Sequence, residues 1–247
     1  AGMNPVYLLV DLAVFVPTFL LSFDRRVAFY KQWRSYWPVN AVVLAGFVAW
    51  DILFTQWGVW GFNPAYLVGV DVLGLPIEEW GFFIAVPYAC TFTYATLKHY
   101  VPKLGAFRYG ARSLTLAVWV LSAWTLWEFS GQIYPATTAA FLFLAMTVLL
   151  LRPNRWFGHF WLAYAVLLIP FILSNGVLTG LNFTAYPLLH NRPETVVDQI
   201  VWYNNAENTG WRIFSMPVDD LVYGLLLMVL HVAGLEGLER RSSRKLR

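Results

Sequence analysis

Long apolar runs separated by short polar stretches form the dominant pattern of this sequence. A helix of roughly 17 to 25 apolar residues can cross the hydrocarbon core of a bilayer. Seven runs have this character, at residues 4–23, 39–57, 76–97, 113–133, 135–151, 156–175 and 216–236. The pattern therefore predicts an all-α integral membrane protein with about seven transmembrane helices.

The composition agrees with this prediction and excludes several other classes of protein. Hydrophobic residues make up 59% of the 247 residues and charged residues only 13%, unlike an average soluble domain. Cys90 is the only cysteine, so neither a disulfide framework nor a thiolate metal cluster is predicted. The first run lacks a basic leader and contains Asp11, which favours a retained helix over a signal peptide. For Asp11 itself we expect a paired structural role.

The basic residues indicate an orientation, because Lys and Arg near helix ends are retained on the cytoplasmic side. They follow the first, third, fifth and seventh runs: Arg25, Arg26, Lys31 and Arg34; Lys98, Lys103, Arg108 and Arg112; Arg152 and Arg155; Arg240, Arg241, Arg244, Lys245 and Arg247. We therefore expect a multi-pass protein of the cell membrane with its N-terminus outside and its C-terminus in the cytoplasm. The net charge of +3 then reflects topology, and no nucleic-acid partner is predicted.

A short acidic motif occurs twice, each time where a loop leads into an apolar run. Pro-Ile-Glu-Glu at 76–79 is matched 141 residues later by Pro-Val-Asp-Asp at 217–220. An aromatic residue follows at the same spacing in both copies, Phe82 in the first and Tyr223 in the second. The match predicts a duplicated chain with one active site between the copies.

The duplication implies a 3+1+3 arrangement within one membrane domain. Residues 1–112 form the first repeat with helices one to three, and 113–134 form a connecting fourth helix. Residues 135–247 form the second repeat with helices five to seven and a basic cytoplasmic tail. Because the third and seventh helices start on the same side, the repeats are expected to be related by an axis along the membrane normal.

The four acids of the motif, Glu78, Glu79, Asp219 and Asp220, are the first candidates for chemistry. Proline and acids also favour a helix start through backbone geometry and the helix dipole, so a capping role remains open for each carboxylate. Ionisable groups beside apolar helices are nevertheless costly and are often functional. Successive helical residues point about 100° apart, so only one acid of each pair can face a given cavity.

Other polar and aromatic residues are expected near the same outer side. Asp51, Glu128 and Asn175 lie toward the outer ends of the second, fourth and sixth helices, and Glu128 and Asn175 are expected to contact substrate. Aromatic faces can stabilise a cation, although an interfacial aromatic belt explains most of the tryptophans equally well. The aromatic candidates for substrate contact are Trp60, Trp80, Phe82, Phe83 and Tyr223.

The long loop at 176–215 and several absent motifs complete the picture. Loops of this length often act as lids or binding loops, and residues 191–202 are expected to contain a short surface helix. The sequence has no Gly-x-Gly-x-x-Gly motif for a dinucleotide, and Asp219-Asp220 does not continue into the Asp-Asp-x-x-Asp run of magnesium-diphosphate enzymes. No cofactor and no metal are therefore predicted.

These motifs together resemble a known family. Trp50-Asp51, the run Gly-Val-Trp-Gly-Phe-Asn-Pro at 58–64, Leu-Pro-Ile-Glu-Glu at 75–79 and the stretch 212–220 with Tyr223 are similar to the membrane-embedded, non-flavoprotein lycopene cyclases of the heterodimeric or fused type. The resemblance covers nearly the whole chain. Asp219-Asp220 departs from it, because a Glu-led pair is typical there.

The resemblance implies an isomerase-type carotenoid cyclase that works without net redox chemistry. Protonation of a terminal double bond of a linear carotene such as lycopene would give a cation that closes a β-ionone ring. The resemblance makes Glu78, Glu79, Asp219, Asp220 and Asp51 the acid and base set. It also implies substrate delivery from the bilayer, a phytoene synthase as a possible partner, and a monomer or homo-oligomer.

Two alternatives remain open from the sequence. A related enzyme, such as a cyclase of C50 carotenoids or a carotenoid hydratase, could use the same protonation step. A non-catalytic carotenoid or quinone carrier, or a transport protein, could use the outer acids to move protons or ions.

Overall fold

In a computed structural model the chain is described over residues 4–106, 108–152, 154–191 and 196–245. Seven α-helices occupy most of these ranges. They are α1 Val6–Leu21, α2 Trp33–Gln56, α3 Ile77–Tyr100, α4 Arg108–Glu128, α5 Ile133–Leu150, α6 Phe157–Thr179 and α7 Asp219–Lys245.

Several helices have the length and apolarity of membrane spans. Four helical stretches in the described part of the chain meet both criteria, at Phe29–Gln56, Ile133–Leu150, Phe157–Thr179 and Asp219–Arg241. The α1 helix is apolar but has only 16 residues. Large apolar side chains such as Val42 and Ile169 are 75% and 70% exposed, an exterior suited to lipid. These features agree with a membrane protein, whereas the set of seven spans stays a prediction.

The helix limits differ from the sequence prediction at several ends. The α2 helix begins at Trp33 and continues through Pro38, and α7 extends well past residue 236. The sequence predicted that Pro76 and Pro217 lie in the first turns of α3 and α7. Neither proline does. Each proline instead ends a short strand just before its helix, because the preceding residues are paired in a hairpin.

The loops before α3 and α7 contain short strands that the apolar pattern did not predict. They are β1 Trp60–Phe62, β2 Asp71–Val72, β3 Leu75–Pro76, β4 His190–Asn191, β5 Val201–Tyr203, β6 Trp211–Ile213 and β7 Met216–Pro217. The loop at 176–215 is thus organised by strand pairing. Residues 192–195 of the predicted surface helix lie outside the described residues, and the end of that segment forms β5, so the prediction is wrong there.

Strand pairing in the two loops follows one offset. In the β2–β3 hairpin Asp71 pairs with Pro76, and in the β6–β7 hairpin Arg212 pairs with Pro217, so the paired positions of the two hairpins are 141 residues apart. The β1 and β5 strands pair antiparallel with each other, with Gly61 opposite Trp202. These two residues are also 141 apart, and the pairs on either side, Trp60 with Tyr203 and Phe62 with Val201, are arranged symmetrically about them.

The helices that carry the acidic motif, α3 and α7, occupy the centre of the bundle. They contact each other, and α1 and α6 pack on α3 while α2 and α5 pack on α7. At the end away from the motif, Lys98 of α3 forms an ion pair with Glu236 of α7, which also accepts a hydrogen bond from Tyr94 at 2.6 Å. The central pair is therefore joined by polar contacts at the end opposite the motif.

The close packing of α2 on α7 provides a test of the fold. A Cβ atom at Gly234 would lie 2.6 Å from Cγ1 of Val39, whereas a Cβ atom at Gly237 would meet nothing within 4 Å. We expect Gly234→Ala to destabilise the protein by about 1 to 3 kcal/mol through overpacking. Gly237→Ala, on the same helix, should be neutral or stabilising by up to about 1 kcal/mol through helix propensity. Thermal unfolding in detergent compares the two variants, and equal melting temperatures would contradict this packing.

Candidate active site

One carboxyl cluster is built around Glu79, in the first turn of α3. Glu79 is buried and accepts a hydrogen bond from the hydroxyl of Tyr7 on α1. Its carboxyl lies beside the buried carboxyl of Asp51 on α2. Trp60 of β1 donates its indole N–H to Oδ1 of Asp51. Three helices and the first loop therefore bring two carboxyls into direct contact.

A second cluster is built around Asp220, in the first turn of α7. Its Oδ1 accepts a hydrogen bond from Tyr134 of α5 at 2.8 Å. Its Oδ2 accepts from Nδ2 of Asn175 on α6 at 2.6 Å and from the hydroxyl of Tyr203 on β5 at 3.0 Å. The carboxyl of Asp220 is thus satisfied by three neutral donors. Asn175 stands beside Asp220 as Asp51 stands beside Glu79.

Both clusters line the same small cavity, which has a volume of about 50 Å³. Glu79 and Asp220 supply its acidic groups. The rest of its lining is largely aromatic, with Trp60 at its centre: the Trp60 ring lies 5.0 Å from that of Tyr134 and 6.0 Å from that of Tyr223. Phe82 and Asn175 also line the cavity. Two carboxyl groups and several π faces are therefore brought to one largely apolar space.

The other acid of each motif faces the preceding loop. Glu78 accepts a hydrogen bond from the backbone N–H of Val68 at 2.5 Å, and Asp219 accepts one from the hydroxyl of Thr209 at 2.7 Å. Both acids are buried, and neither lines the cavity. The prediction that the two acids of a pair do not face the same cavity agrees with this lining, and Asp219 borders a separate pocket beside α4. Catalytic roles for Glu78 and Asp219 stay predictions.

Three of the predicted substrate-binding residues lie away from the cavity lining. Trp80 donates its indole N–H to the backbone oxygen of Val72 at 3.2 Å and so holds the β2–β3 hairpin. Phe83 is buried, with its ring 5.9 Å from that of Phe47. Glu128 is exposed at the end of α4. Their contact with substrate stays a prediction.

A buried arginine distinguishes the electrostatics of the second cluster. Arg212 on β6 is only 1% exposed and donates to the backbone oxygen of Ser215 at 2.5 Å and to Oδ1 of Asn205 at 2.9 Å. Burial lowers the pKa of Arg212, whereas the nearby charges of Asp220 and Asp219 act in the opposite direction. Burial also raises the pKa of Tyr203, which keeps its phenol a donor. The equivalent position 141 residues earlier is the exposed Asp71, so the first cluster lacks this cation.

The sequence analysis missed the three tyrosines that donate to the carboxyls. Tyr7 and Tyr134 are each the second residue of their helices, α1 and α5. Aligning the start of α1 with the start of α5, the first helices of the two predicted repeats, would have paired Tyr7 with Tyr134. Tyr203 lies in the long loop and reaches Asp220 only because β5 pairs with β1.

Comparison with known proteins identifies one family. A family model described as lycopene cyclase matches residues 4–97 and 131–238, which is most of the chain, and α4 lies between the two matched ranges. No curated protein and no solved structure matches the chain. Within the described residues no group of three or more His, Cys, Asp and Glu side chains is arranged to hold a metal ion.

The hydrogen bonds to the carboxyls can be tested by removing single hydroxyl groups. Tyr134→Phe would leave Oδ1 of Asp220 without its donor in a buried site, and we expect a loss of about 1 to 3 kcal/mol in the free energy of unfolding. Tyr36→Phe is the matched control, because the buried hydroxyl of Tyr36 has no hydrogen-bond partner. Thermal unfolding in detergent should show a loss for Tyr134→Phe and none for Tyr36→Phe. The reverse order would contradict the described contacts.

Proposed function

The chain belongs to the lycopene cyclase family and is an enzyme, a lycopene cyclase, and we propose that it closes the ends of linear lycopene into β-ionone rings by acid-initiated, non-redox cyclisation. The observation that carries the mechanism is the single aromatic cavity lined by two carboxyl clusters of different hydrogen bonding. One cluster is suited to supply a proton and the other to remove one.

The Asp51–Glu79 pair is the proposed proton donor. Two buried carboxyls that lie side by side are stable only when one of them carries a proton, because two ionised carboxylates are both acceptors and repel each other. No cation corresponds to Arg212 on this side, so two like charges in contact would be strongly unfavourable. Glu79 lines the cavity, and Asp51 lies behind Glu79. Glu79 therefore delivers the proton, and Asp51 positions the Glu79 carboxyl and reprotonates it.

Asp220 is the proposed base. Its three hydrogen-bond donors and the nearby guanidinium of Arg212 all favour the ionised form of a buried carboxylate. An ionised Asp220 can accept a proton from a cationic ring. The first cluster is less suited to act as the base, because it has Asp51 in place of an amide and has no buried arginine at the position equivalent to Arg212.

The reaction balances without an oxidant or reductant. The O–H bond of Glu79 breaks, and the π electrons of the terminal C=C form a C–H bond, which leaves a tertiary carbocation. The next double bond attacks this cation and closes the six-membered ring, moving the positive charge to a ring carbon. Asp220 then removes the proton from the ring carbon that bears the polyene, and the C–H electrons form the ring double bond. The faces of Trp60 and Tyr223 would stabilise the cations.

The site is proposed to lie between two repeats, residues 1–112 and 135–247, joined by the connecting helix at 113–134. The constant offset of the hairpins and the pairing of Gly61 with Trp202 support this duplication. They also support a two-fold axis that passes through the β1–β5 ladder. With the predicted orientation, both clusters face the outer side of the membrane and the basic tail lies in the cytoplasm.

Expression in a bacterium that accumulates lycopene tests the activity. We expect a pigment of unchanged mass with bluer absorption, because the double bond of a β-ionone ring is twisted out of the plane of the polyene. Membranes assayed in D₂O should add one deuterium for each ring closed, because the proton added at the terminal double bond comes from an exchangeable carboxyl. A product heavier by one water would indicate a hydratase. Unaltered lycopene, with the protein verified in the membrane, would contradict the proposal and favour a carrier.

Substitution of the carboxyls tests their roles. We expect Glu79→Gln and Asp220→Asn each to reduce lycopene conversion by about 10²- to 10⁴-fold, the usual contribution of acid–base groups. Asp24→Asn is the matched control, since Asp24 is exposed and accepts only local hydrogen bonds from the backbone N–H groups of Arg26 and Val27. Pigment extraction with immunodetection separates activity from expression. Full conversion by either cavity variant would remove that residue from the mechanism.

A further inference from the structure

A second cavity adjoins the acid cavity and differs from it in character. It lies between α1, α3, α6 and α7, and we call it the α3–α6 groove. The two cavities share four lining residues, Val86, Phe171, Gly224 and Leu227, so they are contiguous. The groove lining is mainly aliphatic.

The polar atoms of the α3–α6 groove are already engaged. The hydroxyl of Tyr164 donates to the backbone oxygen of Leu221 at 2.8 Å, and that of Ser174 to Pro170 at 2.9 Å. Apart from the weakly polar thiol of Cys90, an occupant would therefore meet a wall whose hydroxyl groups are already hydrogen-bonded. Such a wall suits a hydrocarbon chain and offers nothing to a polar ligand.

A groove in the corresponding place on the other side does not reach the acids. It lies between α2, α5 and α7, has a volume of about 580 Å³ and shares no lining residue with the acid cavity. Aromatic side chains separate the two spaces: the Phe47 ring lies 5.9 Å from that of Phe83 and 5.1 Å from that of Tyr223. The larger groove is thus closed off from Glu79 and Asp220.

The two sides differ at one pair of equivalent helical positions, residue 224 on α7 and residue 83 on α3. Gly224 of α7 lines both the acid cavity and the α3–α6 groove, and the residue 141 positions earlier on α3 is Phe83. The backbone of Gly224 does not have the positive φ that would require glycine. A Cβ atom there would lie 3.3 Å from Cζ of Phe171. With no side chain at residue 224 the acid cavity and the α3–α6 groove adjoin, whereas the buried Phe83 occupies the equivalent position on the other side.

We propose that the polyene chain of the substrate lies in the α3–α6 groove and passes Gly224, so that its terminal double bond reaches Glu79. The proposal rests on the proposed cyclase function and adds the route and its determinant. Gly224 sets the width of the passage, and Phe171 is the side chain that faces it. Substrate reaches the acids from this side, and each end of the carotene enters by the same passage.

A pair of glycine substitutions tests the route. Gly224→Leu fills the passage, and we expect at least a tenfold loss of lycopene conversion in membranes. Gly46→Leu is the matched control, because Gly46 lines the larger, closed groove and its Cβ position has nothing within 4 Å. This variant should convert lycopene like the wild type. Unchanged conversion by Gly224→Leu, or an equal loss in Gly46→Leu, would overturn the proposal.

A compensating variant separates a blocked passage from a folding defect. Phe171→Ala removes the ring that a side chain at residue 224 would meet, so Gly224→Leu combined with Phe171→Ala should regain conversion. A double variant no more active than Gly224→Leu would overturn the steric role of residue 224.

A binding measurement tests whether lycopene occupies the α3–α6 groove independently of whether the protein converts it. Purified protein is incubated with lycopene in detergent, and the retained lycopene is measured by absorbance. Gly224→Leu should retain less than the wild type, whereas Gly46→Leu and Glu79→Gln should retain as much. A wild type that retains lycopene without converting it would refute the proposed function only. Equal retention by Gly224→Leu would refute the groove.

Discussion

The cost of placing carboxyl groups among apolar helices governs this structure. An ionised carboxylate in a low-dielectric interior is unfavourable unless it is hydrogen-bonded, paired or protonated. Glu79 and Asp220 are both buried at the starts of the central helices, and each meets this requirement differently. Glu79 is hydrogen-bonded by a phenol and lies beside another buried carboxyl, whereas Asp220 is held by two phenols and an amide. The outer helices and the strands of the loops supply these partners.

The same scaffold thus produces two chemically different sites. In both halves a tyrosine from the start of one helix and a polar residue from the next helix reach the acid of the central helix. Asp51 in one half and Asn175 in the other occupy that second place, and only Asn175 is accompanied by a buried arginine. Under the proposed duplication, these changed residues would place an acid and a base on one cavity, as general acid–base catalysis requires.

The exposed apolar helices and the shapes of the cavities both suit a hydrocarbon substrate. A hydrocarbon substrate offers no group for hydrogen bonding, so recognition must come from apolar walls and from the shape of the passage. The acid cavity has aromatic walls where cationic charge would develop, and the α3–α6 groove has aliphatic walls where a neutral polyene would lie. Phe83 and Gly224 show how a single side-chain difference can break the equivalence of the two sides.

Local properties of the chain determined the helices, the acidic motif and its repetition, because apolar length and residue spacing are read directly along the sequence. The spacing of Glu78 and Glu79 also predicted that only one of them faces a cavity, since helical geometry separates their directions. Tertiary structure alone decided that Tyr7, Tyr134 and Tyr203 are the donors, because each reaches its acid from a distant part of the chain. It also decided that Glu128 lies apart and that Gly224 rather than Phe83 borders the acids. These outcomes depend on packing between helices, which no local pattern records.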